Sequence, residues 1–422
     1  MDILFITQHY DPDLGPSAPL FTLLCRSLAA RGHRVTVLTT VPHYPSGRVQ
    51  AGFRGFRIRR SVEHGVRVIR APLPSLNRSD LKKRFLQFLV FQLMTAWAGL
   101  SLRYDVSVVT GPGFNIWFPF FLLIRLRRKA SIYSVHDVYP DVGISLGVFR
   151  NHTVIRLVAA LEKYCLRHAS AIRILSTSFK RALRRLGQSD EKMALIYDWV
   201  ETDFIVPLPR DNSFACEHGL VDKFVVLYAG NLGLSQGLEN ILTVAQQLSV
   251  YADIHFVFVG EGAGRVRLER AAQEMGLTNV QFIPFQARER LPEVLASTDV
   301  SLVILRRGIG LESLPSKTYS IMASARPIIA SVDALSETHH LVTKAQAGLC
   351  VPPEDPKKIG EAVLKLKSDR GLGEALGKNG RAWALQNHSV ESAAIRFETL
   401  LSQYLLAGRE GMVDLKPSPL WT

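Results

Sequence analysis

Short runs of apolar and β-branched residues return along this chain, separated by segments long enough to form helices. In the first half the runs lie at residues 2–7, 34–40, 66–72, 105–111, 130–135, 170–176 and 193–197. Strands that alternate with helices form parallel sheets covered by helices on both faces. The pattern therefore predicts an α/β domain with a doubly wound parallel sheet.

The same alternation begins again in the second half of the chain. The runs now lie at residues 223–230, 253–260, 280–285, 299–305, 326–331 and 347–352. Residues 198–222, between the two series, contain two prolines, several acidic residues and no strong periodicity, which is typical of a linker. The length of 422 residues also suits two domains, because a single core stops growing at about 250 to 300 residues.

We therefore expect two doubly wound, Rossmann-like domains that face each other across a cleft. The first comprises residues 1–200, joined by a C-terminal helix at 390–422, and the second comprises residues 201–389. Ligands of such sheets bind at the carboxyl ends of the strands. The predicted cleft is thus the expected binding site.

The net charge of +14 is unevenly distributed. Residues 1–200 carry 29 Lys and Arg against 12 Asp and Glu, a net charge of +17, whereas the remainder carries 22 against 25, a net charge of −3. Basic clusters at 53–60, 81–84 and 125–129 lie close to two very apolar stretches, at 85–102 and 114–124. An apolar surface bordered by Arg and Lys is what contact with an anionic membrane requires.

One other interpretation of this half remains open. Buried core helices beside an unrelated basic surface would give the same pattern. Nucleic acid is not expected as a partner, because the basic residues are not interleaved with aromatic ones in a recognisable motif. A membrane span needs about 20 residues, so the first stretch is borderline and the second is too short.

Four cysteines, at positions 25, 165, 216 and 350, lie far apart without CxxC or metal-ligand spacing. No cleavable signal peptide is recognisable at the start of the sequence. We therefore expect a cytoplasmic protein, peripheral at the inner face of the cell membrane, with no metal site and no cofactor.

Glycine-rich turns follow several predicted strands, at residues 111–113, 230–237 and 260–264. Turns of this kind lead into helix N-termini, whose free N–H groups and dipole favour phosphate. None is a dinucleotide fingerprint, since Arg265 stands where the third glycine of GxGxxG would be. Together the turns favour a nucleotide, although each alone could be only a tight turn.

Several segments resemble those of the retaining glycosyltransferases of family 4. In the second half they are "YAGNLGLSQGLENILTVAQQL", "FVGEGAGRVRLE", "FIPFQARERLPEVLASTDVSLV", "PSKTYSIMASARPIIA" and "AGLCVPPEDPKKIGEAV". The first half is similar at "MDILFITQHYDPDLGPSAPLFTLLCRSLAARGHRVTVLT" and "YSVHDVYPD". "TVPHYPSG" and "PSKTYSIMA" look most like the colanic acid fucosyltransferase and related capsule and exopolysaccharide enzymes.

The resemblance implies the B-type two-Rossmann fold, with a nucleotide-sugar donor held by the second domain. Its motifs imply catalytic roles for His136, Lys317 and Glu312. The implied donor-binding residues are Gly15, Gly230, Asn231, Gln236, Gly237, Gly262, Pro284, Phe285, Arg306, Ser316 and Ser320.

Three of these positions depart from the family pattern. The family usually has an Arg or Lys after the first strand of the donor domain and a Lys before the next glycine, where this chain has Asn231 and Gln236. Of the family's paired glutamates, Glu312 fits the one that contacts the donor sugar. Ser320 stands near the place of the second, which contacts the ribose.

Lys317 is the expected contact of the donor's diphosphate. The pair Pro315–Ser316 is expected to cap a helix, and Lys317 adds a full charge within its first turn. A diphosphate leaving group needs cations and backbone donors where no metal is bound. A solvated lysine at a helix start would look the same in the sequence. Arg306 and Arg307 are secondary candidates for this role.

Candidate residues of the first half follow its predicted strands. Gly15 allows close backbone approach to phosphate or acceptor. His136, after a buried strand, is the expected contact of the donor sugar, with Asp137 and Asp141 fixing its tautomer or binding the acceptor. His43, with Tyr44, and His9 are weaker acceptor-binding candidates, since histidine–tyrosine pairs in loops often only pack.

The expected reaction is metal-independent transfer of a sugar, with retention, from a nucleotide-diphosphate donor to a glycan or polyprenyl-diphosphate-linked acceptor in surface-polysaccharide biosynthesis. No pair of carboxylates near His136 or Lys317 suits double displacement. The front-face route attributed to the family, in which the departing diphosphate accepts the acceptor's proton, fits better.

Two alternatives remain. The departures at positions 231, 236 and 320 would suit a catalytically degenerate nucleotide-binding relative. A nicotinamide-dependent sugar-nucleotide modifying enzyme is the other, although the chain lacks its fingerprint. The sequence does not choose between a GDP-sugar and a UDP-sugar.

Overall fold

The computed structural model describes residues 1–15, 17–76, 81–145, 148–233, 236–309 and 314–410. They form two compact units. The first unit contains Met1–Asp198 together with the segment that begins at Val390, and the second contains Trp199–Ser389.

The first unit is built on an eight-stranded sheet with the order β3-β4-β2-β1-β5-β6-β7-β8. Its strands are β1 Asp2–Ile6, β2 Arg34–Thr40, β3 Arg59–Glu63, β4 Val66–Ala71, β5 Val106–Thr110, β6 Ala130–Ser134, β7 Ala171–Ile174 and β8 Met193–Leu195. Neighbouring strands are parallel except β3, which pairs antiparallel with β4. The central strands are buried on both faces, which explains their continuous apolar runs.

Strand β3 was not predicted from the sequence. Its residues, RRSVE, are mostly polar, and the segment resembled only a basic cluster. Pairing with β4 makes it a strand, since Arg60 lies opposite Ile69 and Val62 opposite Arg67. An edge strand that faces solvent needs no apolar run of its own.

Helices cover this sheet on both faces. They are α1 Ala18–Ala30, α2 Leu81–Gly99, α3 Gly113–Pro119, α4 Asp141–Ser145, α5 His152–His168, α6 Phe179–Arg185 and, from the C-terminal segment, α15 Val390–Glu410. A π-helical segment, Phe120–Arg125, continues α3, and single 3₁₀ turns lie at Ala51–Phe53 and Asp190–Lys192. Helix α15 packs on α1 and β6, and Arg31 of the α1 C-cap pairs with Glu398 at 2.6 Å.

The two apolar stretches of the first half have different environments. The segment from α3 to Arg125 buries Ile116, Phe120 and Leu123 in the core. Helix α2 buries one side, including Phe91, and leaves large apolar side chains of its other side exposed. Within the described part of the chain, no helix combines the length and the apolar character that a membrane crossing needs.

The second unit is built on a six-stranded, wholly parallel sheet with the order β11-β10-β9-β12-β13-β14. Its strands are β9 Phe224–Ala229, β10 Ile254–Val259, β11 Val280–Ile283, β12 Val300–Ile304, β13 Ile328–Ser331 and β14 Gly348–Val351. Its helices are α7 Ser213–Glu217, α8 Glu239–Gln247, α9 Arg265–Glu274, α10 Leu291–Ala296, α11 Lys317–Ala323, α12 Glu337–Lys344, α13 Pro356–Ser368 and α14 Arg370–Asn387, with a 3₁₀ turn at Arg288–Arg290.

Most of the segment predicted as a linker is part of this second unit. Ile205 packs in its core, and Phe214 and Ala215, on α7, are fully buried there. The segment lacks periodicity because α7 has a single turn. The two parallel-sheet units confirm the predicted α/β fold class.

Candidate functional site

In the second unit, the candidate site lies at the carboxyl edge of the sheet. Strand β9 has β10 on one side and β12 on the other, so the order of the strands reverses there. Ligands of open α/β sheets bind at such a switch point. The predicted donor-binding residues Gly230, Pro284 and Arg306 all follow strands at this edge.

The glycine turns after β9 and β10 pack directly against each other. Gly260 has a φ of +142°, and a Cβ there would lie 2.0 Å from the carbonyl oxygen of Gly230. A Cβ on Gly262 would lie 2.5 Å from the carbonyl oxygen of Leu232. The Leu232 N–H donates to the carbonyl of Glu261 at 2.8 Å. These glycines therefore allow two backbone loops to meet where a larger residue would separate them.

Lys317 is the first residue of α11, and its ammonium lies beside the turn after β9. Its Nζ is 3.6 Å from the centroid of the Tyr228 ring. A Cβ on Gly230 would lie 2.9 Å from Nζ. Among the described residues, Lys317 has no hydrogen-bond or ion-pair partner. Burial lowers its pKa to about 7.

The burial and lowered pKa of Lys317 indicate that its ammonium is placed to bind an anion. A desolvated ammonium with no counter-charge is unfavourable, which is why its pKa is low. The aromatic face of Tyr228 offsets part of that cost by a cation–π contact. Ser316 occupies the N-cap position, but its side chain makes no capping hydrogen bond, contrary to the capping role expected of the Pro-Ser pair.

The two residues that replace the family's cations lie in the same turn. A Cβ on Gly233 would lie 2.8 Å from both Asn231 Nδ2 and Gln236 Oε1, so both amides face this turn. Gln236 Oε1 is buried and, within the described residues, has no hydrogen-bond partner. The turn therefore offers neutral amides where the family has cations.

Arg306 lies against the end of the same turn. A Cβ on Gly237, whose φ is +65°, would lie 3.1 Å from Arg306 Cγ. Arg306 Nη2 donates to Glu239 Oε2 at 3.3 Å, so its charge is partly balanced before any ligand binds. Lys317, by contrast, has no such carboxylate among the described residues, and this distinguishes the two cations.

The remaining predicted donor residues are more peripheral. Phe285, after β11, is 73% exposed, and Ser320 is partly exposed on α11. Arg307 is exposed after β12. Glu312 lies outside the described residues.

In the first unit, the loops after β1 and β2 are joined through Asp13. Its buried carboxylate accepts hydrogen bonds from His9 Nδ1 at 2.9 Å and from the Tyr44 N–H at 3.0 Å. His43 Nδ1 lies 3.4 Å from the same carboxylate. The His9 and His43 rings stack with centroids 5.3 Å apart. Gly15 completes the cluster, since a Cβ there would lie 2.2 Å from His9 Cγ.

The histidines control the ionisation of Asp13. Burial by itself would raise the pKa of this carboxyl, but the hydrogen bonds from His43 and His9 outweigh it and hold the pKa well below its usual range. In the sequence, Asp13 belongs to the turn "DPD", which resembles a carboxylate metal pair but fits a capping turn before a helix better. No local pattern shows that two histidines converge on it.

The side chains of His9, Asp13 and His43 offer three ligand atoms within 4.8 Å of one another. That spacing could suit a metal ion. However, His43 Nδ1 also lies 3.0 Å from the carbonyl oxygen of Val41, which suits a protonated nitrogen. A metal-binding nitrogen would be unprotonated and would repel that carbonyl. The geometry thus fits a hydrogen-bonded cluster better than a metal site.

His136 follows β6 at the carboxyl edge of the first sheet. Its Nε2 lies 3.3 Å from Ser134 Oγ, and its ring meets Phe21 of α1 edge-on at 5.2 Å. Burial lowers the pKa of His136 to about 4; the charge of Asp198 opposes this change and that of Arg173 adds to it. His136 is therefore neutral at pH 7 and can donate or accept a hydrogen bond without adding charge.

The carboxylates expected to orient His136 have other surroundings. Asp137 is exposed, and Asp141 begins α4 and pairs with Arg185 at 3.0 Å. Across the described residues, neither makes a hydrogen bond to His136. Instead, Ser134 Oγ lies within hydrogen-bond distance of His136.

A buried ion pair near His136 was not predicted from the sequence. Arg173 on β7 is fully buried; it donates to Asp198 at 2.7 Å and reaches Ser134 Oγ at 3.4 Å. An arginine inside the apolar run "AIRIL" was the one available signal.

Comparison with solved structures identifies the class to which this fold belongs. Sucrose-phosphate synthase from Thermosynechococcus elongatus matches with a TM-score of 0.69 at 20% identity, covering 96% of this chain and 99% of that chain. HepE from Anabaena, in complex with UDP and glucose, matches with a TM-score of 0.67 at 16% identity, covering 95% and 99%. The fold is that of the B-type glycosyltransferases.

The chain belongs to the glycosyltransferases: residues 18–199 match the glycosyl transferase 4-like domain, and residues 213–383 match the glycosyl transferases group 1 family. It is also 29% identical over 369 residues to the putative colanic acid biosynthesis glycosyl transferase WcaI of Escherichia coli (strain K12), covering 85% of this chain and 90% of that relative. The predicted enzyme class and the predicted resemblance are confirmed.

Proposed function

We propose that this glycosyltransferase moves a sugar from a nucleotide-diphosphate donor to a glycan or polyprenyl-diphosphate-linked acceptor, with retention and without a metal ion, in surface-polysaccharide biosynthesis. The name of the E. coli relative supports the polysaccharide assignment. The proposed donor site is the carboxyl edge of the second sheet, and the proposed acceptor side is the first unit.

The environment of the Lys317 ammonium is the main observation that supports this proposal. Its ammonium is partly buried at the switch point of the sheet and has no anionic partner among the described residues. The diphosphate of a sugar nucleotide is a multiply charged anion, and it gains charge as the glycosidic bond breaks. A cation already desolvated in place stabilises that charge more strongly than one in water.

The other site residues would act by positioning. Neutral His136 would hydrogen-bond the donor sugar, and the departing diphosphate would take the acceptor's proton. Because His136 has a low pKa, it is a poor general base at pH 7. Catalysis would then rest on orientation and electrostatics.

We further propose that helix α2 contacts an anionic membrane. Phe85, Leu89, Leu93 and Trp97 follow each other at one-turn spacing and are 69%, 44%, 45% and 68% exposed. Arg127 donates to the carbonyl of Leu102 at 2.9 Å, so the basic segment 125–129 lies beside the C-terminal end of this stripe. An apolar stripe with a basic end suits a surface of acidic lipid head groups.

Nucleotide binding tests the donor site. Thermal melting with UDP, GDP and their sugars should show a shift for one base, since a ligand of the folded state stabilises it by mass action. Lys317→Met should remove the shift, and Lys357→Met, at an exposed lysine of α13, should retain it. No shift with any of these ligands would refute the proposed donor site.

Product formation tests the reaction. Incubation with the stabilising nucleotide sugar and a polyprenyl-diphosphate-linked acceptor should yield a product whose anomeric configuration matches the donor, with or without EDTA. Inversion would refute retention, and loss of activity with EDTA would refute metal independence. Binding without transfer to any acceptor would favour the degenerate alternative.

Flotation with liposomes tests the membrane contact. Binding should require anionic lipid, weaken with salt and fall in a Leu93→Ser/Trp97→Ser variant. The matched control is Val250→Ser/Leu335→Ser, which removes two exposed apolar residues from the second unit. Equal binding of both variants, or binding to neutral lipid alone, would contradict the assignment to α2.

A further inference from the structure

A cavity lies in the second unit, at the edge of the sheet opposite the proposed donor site. Its volume is about 760 Å³. Phe224, the first residue of β9, contributes to its wall, as do Asp299 and Pro327, which directly precede β12 and β13. Strands begin here, whereas the donor-site residues follow strand ends. The cavity is therefore separate from the donor site.

The lining of this cavity is strongly basic. Its charged residues are the cations Arg210, Arg326, Arg370, Lys378 and Arg381 and the acids Asp299 and Glu374. Such an excess of cations around one concave site creates a positive potential that attracts anions.

Two of these cations make hydrogen bonds that stabilise the fold. Arg210 pairs with Asp299 at 2.9 Å. Arg381 donates to the backbone carbonyls of Ile205 at 2.7 Å and Thr202 at 3.0 Å. Their hydrogen-bonding groups hold the chain before α7 against the sheet, so they are not the ones that would bind a ligand.

Among the residues that the structure describes, the other three cations form no ion pairs. Arg370 and Lys378 are exposed on α14, and within the described residues neither makes an ion pair. Arg326 gives one N–H to the carbonyl of Leu208 at 2.9 Å, but its Nε is buried without a partner in the described part of the chain. Burial lowers the pKa of Arg326; the charge of Asp299 opposes this and that of Arg210 adds to it.

Apolar side chains complete the wall. They include Leu208, Pro327, Leu366, Ala382 and Leu385. A ligand that satisfied both parts of the lining would have an apolar body and one strongly anionic group. Arginine and lysine bind phosphate and sulfonate oxygens by charge-assisted hydrogen bonds.

We propose that this cavity binds a small amphipathic anion of the phosphate-ester class, held by Arg326, Arg370 and Lys378. The site would be distinct from the donor site but connected to it through α11. Lys317 begins that helix, and Ser324 and Ala325, directly after it, line the cavity. The helix spans about 10 Å at 1.5 Å per residue, so a ligand would contact the far end of the element that carries Lys317.

Phenyl phosphate is a suitable probe, because it combines one aromatic ring with one phosphate. Isothermal titration of the full chain should show saturable binding that persists when UDP or GDP saturates the donor site. The variant Arg370→Ala/Lys378→Ala should weaken that binding about tenfold, through loss of two charge-assisted contacts. Arg270→Ala/Lys357→Ala, which removes two exposed cations outside the cavity, should leave the affinity unchanged.

Each outcome decides the proposal. Loss of affinity in the cavity variant alone supports it, provided that its melting temperature matches that of the wild type. Arg326→Gln, which keeps the size and a hydrogen-bond donor, gives an independent test of the third contact and should also weaken binding. Equal loss in both double variants, competitive displacement by the nucleotide, or no saturable binding would overturn it. None of these results depends on whether the donor site transfers a sugar.

Discussion

Nucleotide affinity should fall as pH rises above 7, and Lys317 should be the cause. Without ligand the ammonium has a pKa of about 7, because burial disfavours its charge. A diphosphate beside it would restore the charge and raise the pKa toward the ordinary lysine value of about 10.4. The complex would therefore hold a proton that the free protein has lost.

The magnitude follows from this difference in proton binding. At pH 9 only about 1% of the free protein carries a charged Lys317, compared with about 90% at pH 6, if the pKa is 7. The affinity should thus fall about fivefold between pH 7 and 8 and about ninefold between pH 8 and 9, or about 2.3 kcal/mol in total. The charge of the nucleotide itself changes little between pH 7 and 9, since its phosphate titrates near pH 6. Burial raises the pKa of Tyr228 well above its usual value, so Tyr228 stays neutral.

Isothermal titration with the preferred nucleotide should be done at pH 7, 8 and 9. Repeating it in two buffers of different ionisation enthalpy measures the number of protons taken up as well as the affinity. The wild type should take up close to one proton at pH 9. Lys317→Arg should bind without this slope, since a guanidinium stays charged, and Lys317→Met should bind weakly at every pH. A constant wild-type affinity, or the same slope in Lys317→Met, would refute the reasoning.

Three further predictions concern stability. Asp13→Asn should lower the free energy of unfolding at pH 7, measured by urea denaturation, by about 1 to 3 kcal/mol. Because the native carboxyl has a lowered pKa, this loss of stability should shrink below about pH 4. A loss that does not depend on pH would contradict the assigned hydrogen bonds. Arg173→Met should cost about 3 to 5 kcal/mol by leaving Asp198 without its buried partner, and Arg173→Met/Asp198→Asn should recover part of that loss. Gly260→Ala should melt at a lower temperature than Gly276→Ala, since both have positive φ but only the former meets another backbone; equal melting would argue against the close loop contact.

Much of the fold was predictable because strand and helix signals are local. The buried strands of both sheets are continuous apolar, β-branched runs, and each was predicted within two residues of its ends. Strand β3 was not, because it is polar and depends on its partner β4. The short helix around Phe214 was not predicted either, because one helical turn is too short to show a period.

The candidate site was predictable only as a set of positions after strands. The sequence indicated Lys317 and His136, but it did not indicate that Lys317 would rest on the Tyr228 ring. Asp13 and His43 are 30 residues apart along the chain, and parallel pairing of β1 and β2 brings their loops together. Such contacts leave no local pattern.

The sequence by itself determined the order of strands and helices, the class of fold and the glycosyltransferase motifs, because periodicity and motif spacing are properties of neighbouring residues. The tertiary structure decided which side of α2 faces solvent, which carboxylate receives two histidines and how far burial lowers the pKa of Lys317. These depend on desolvation, and desolvation is set by side chains that are distant in the sequence and meet only in the folded chain.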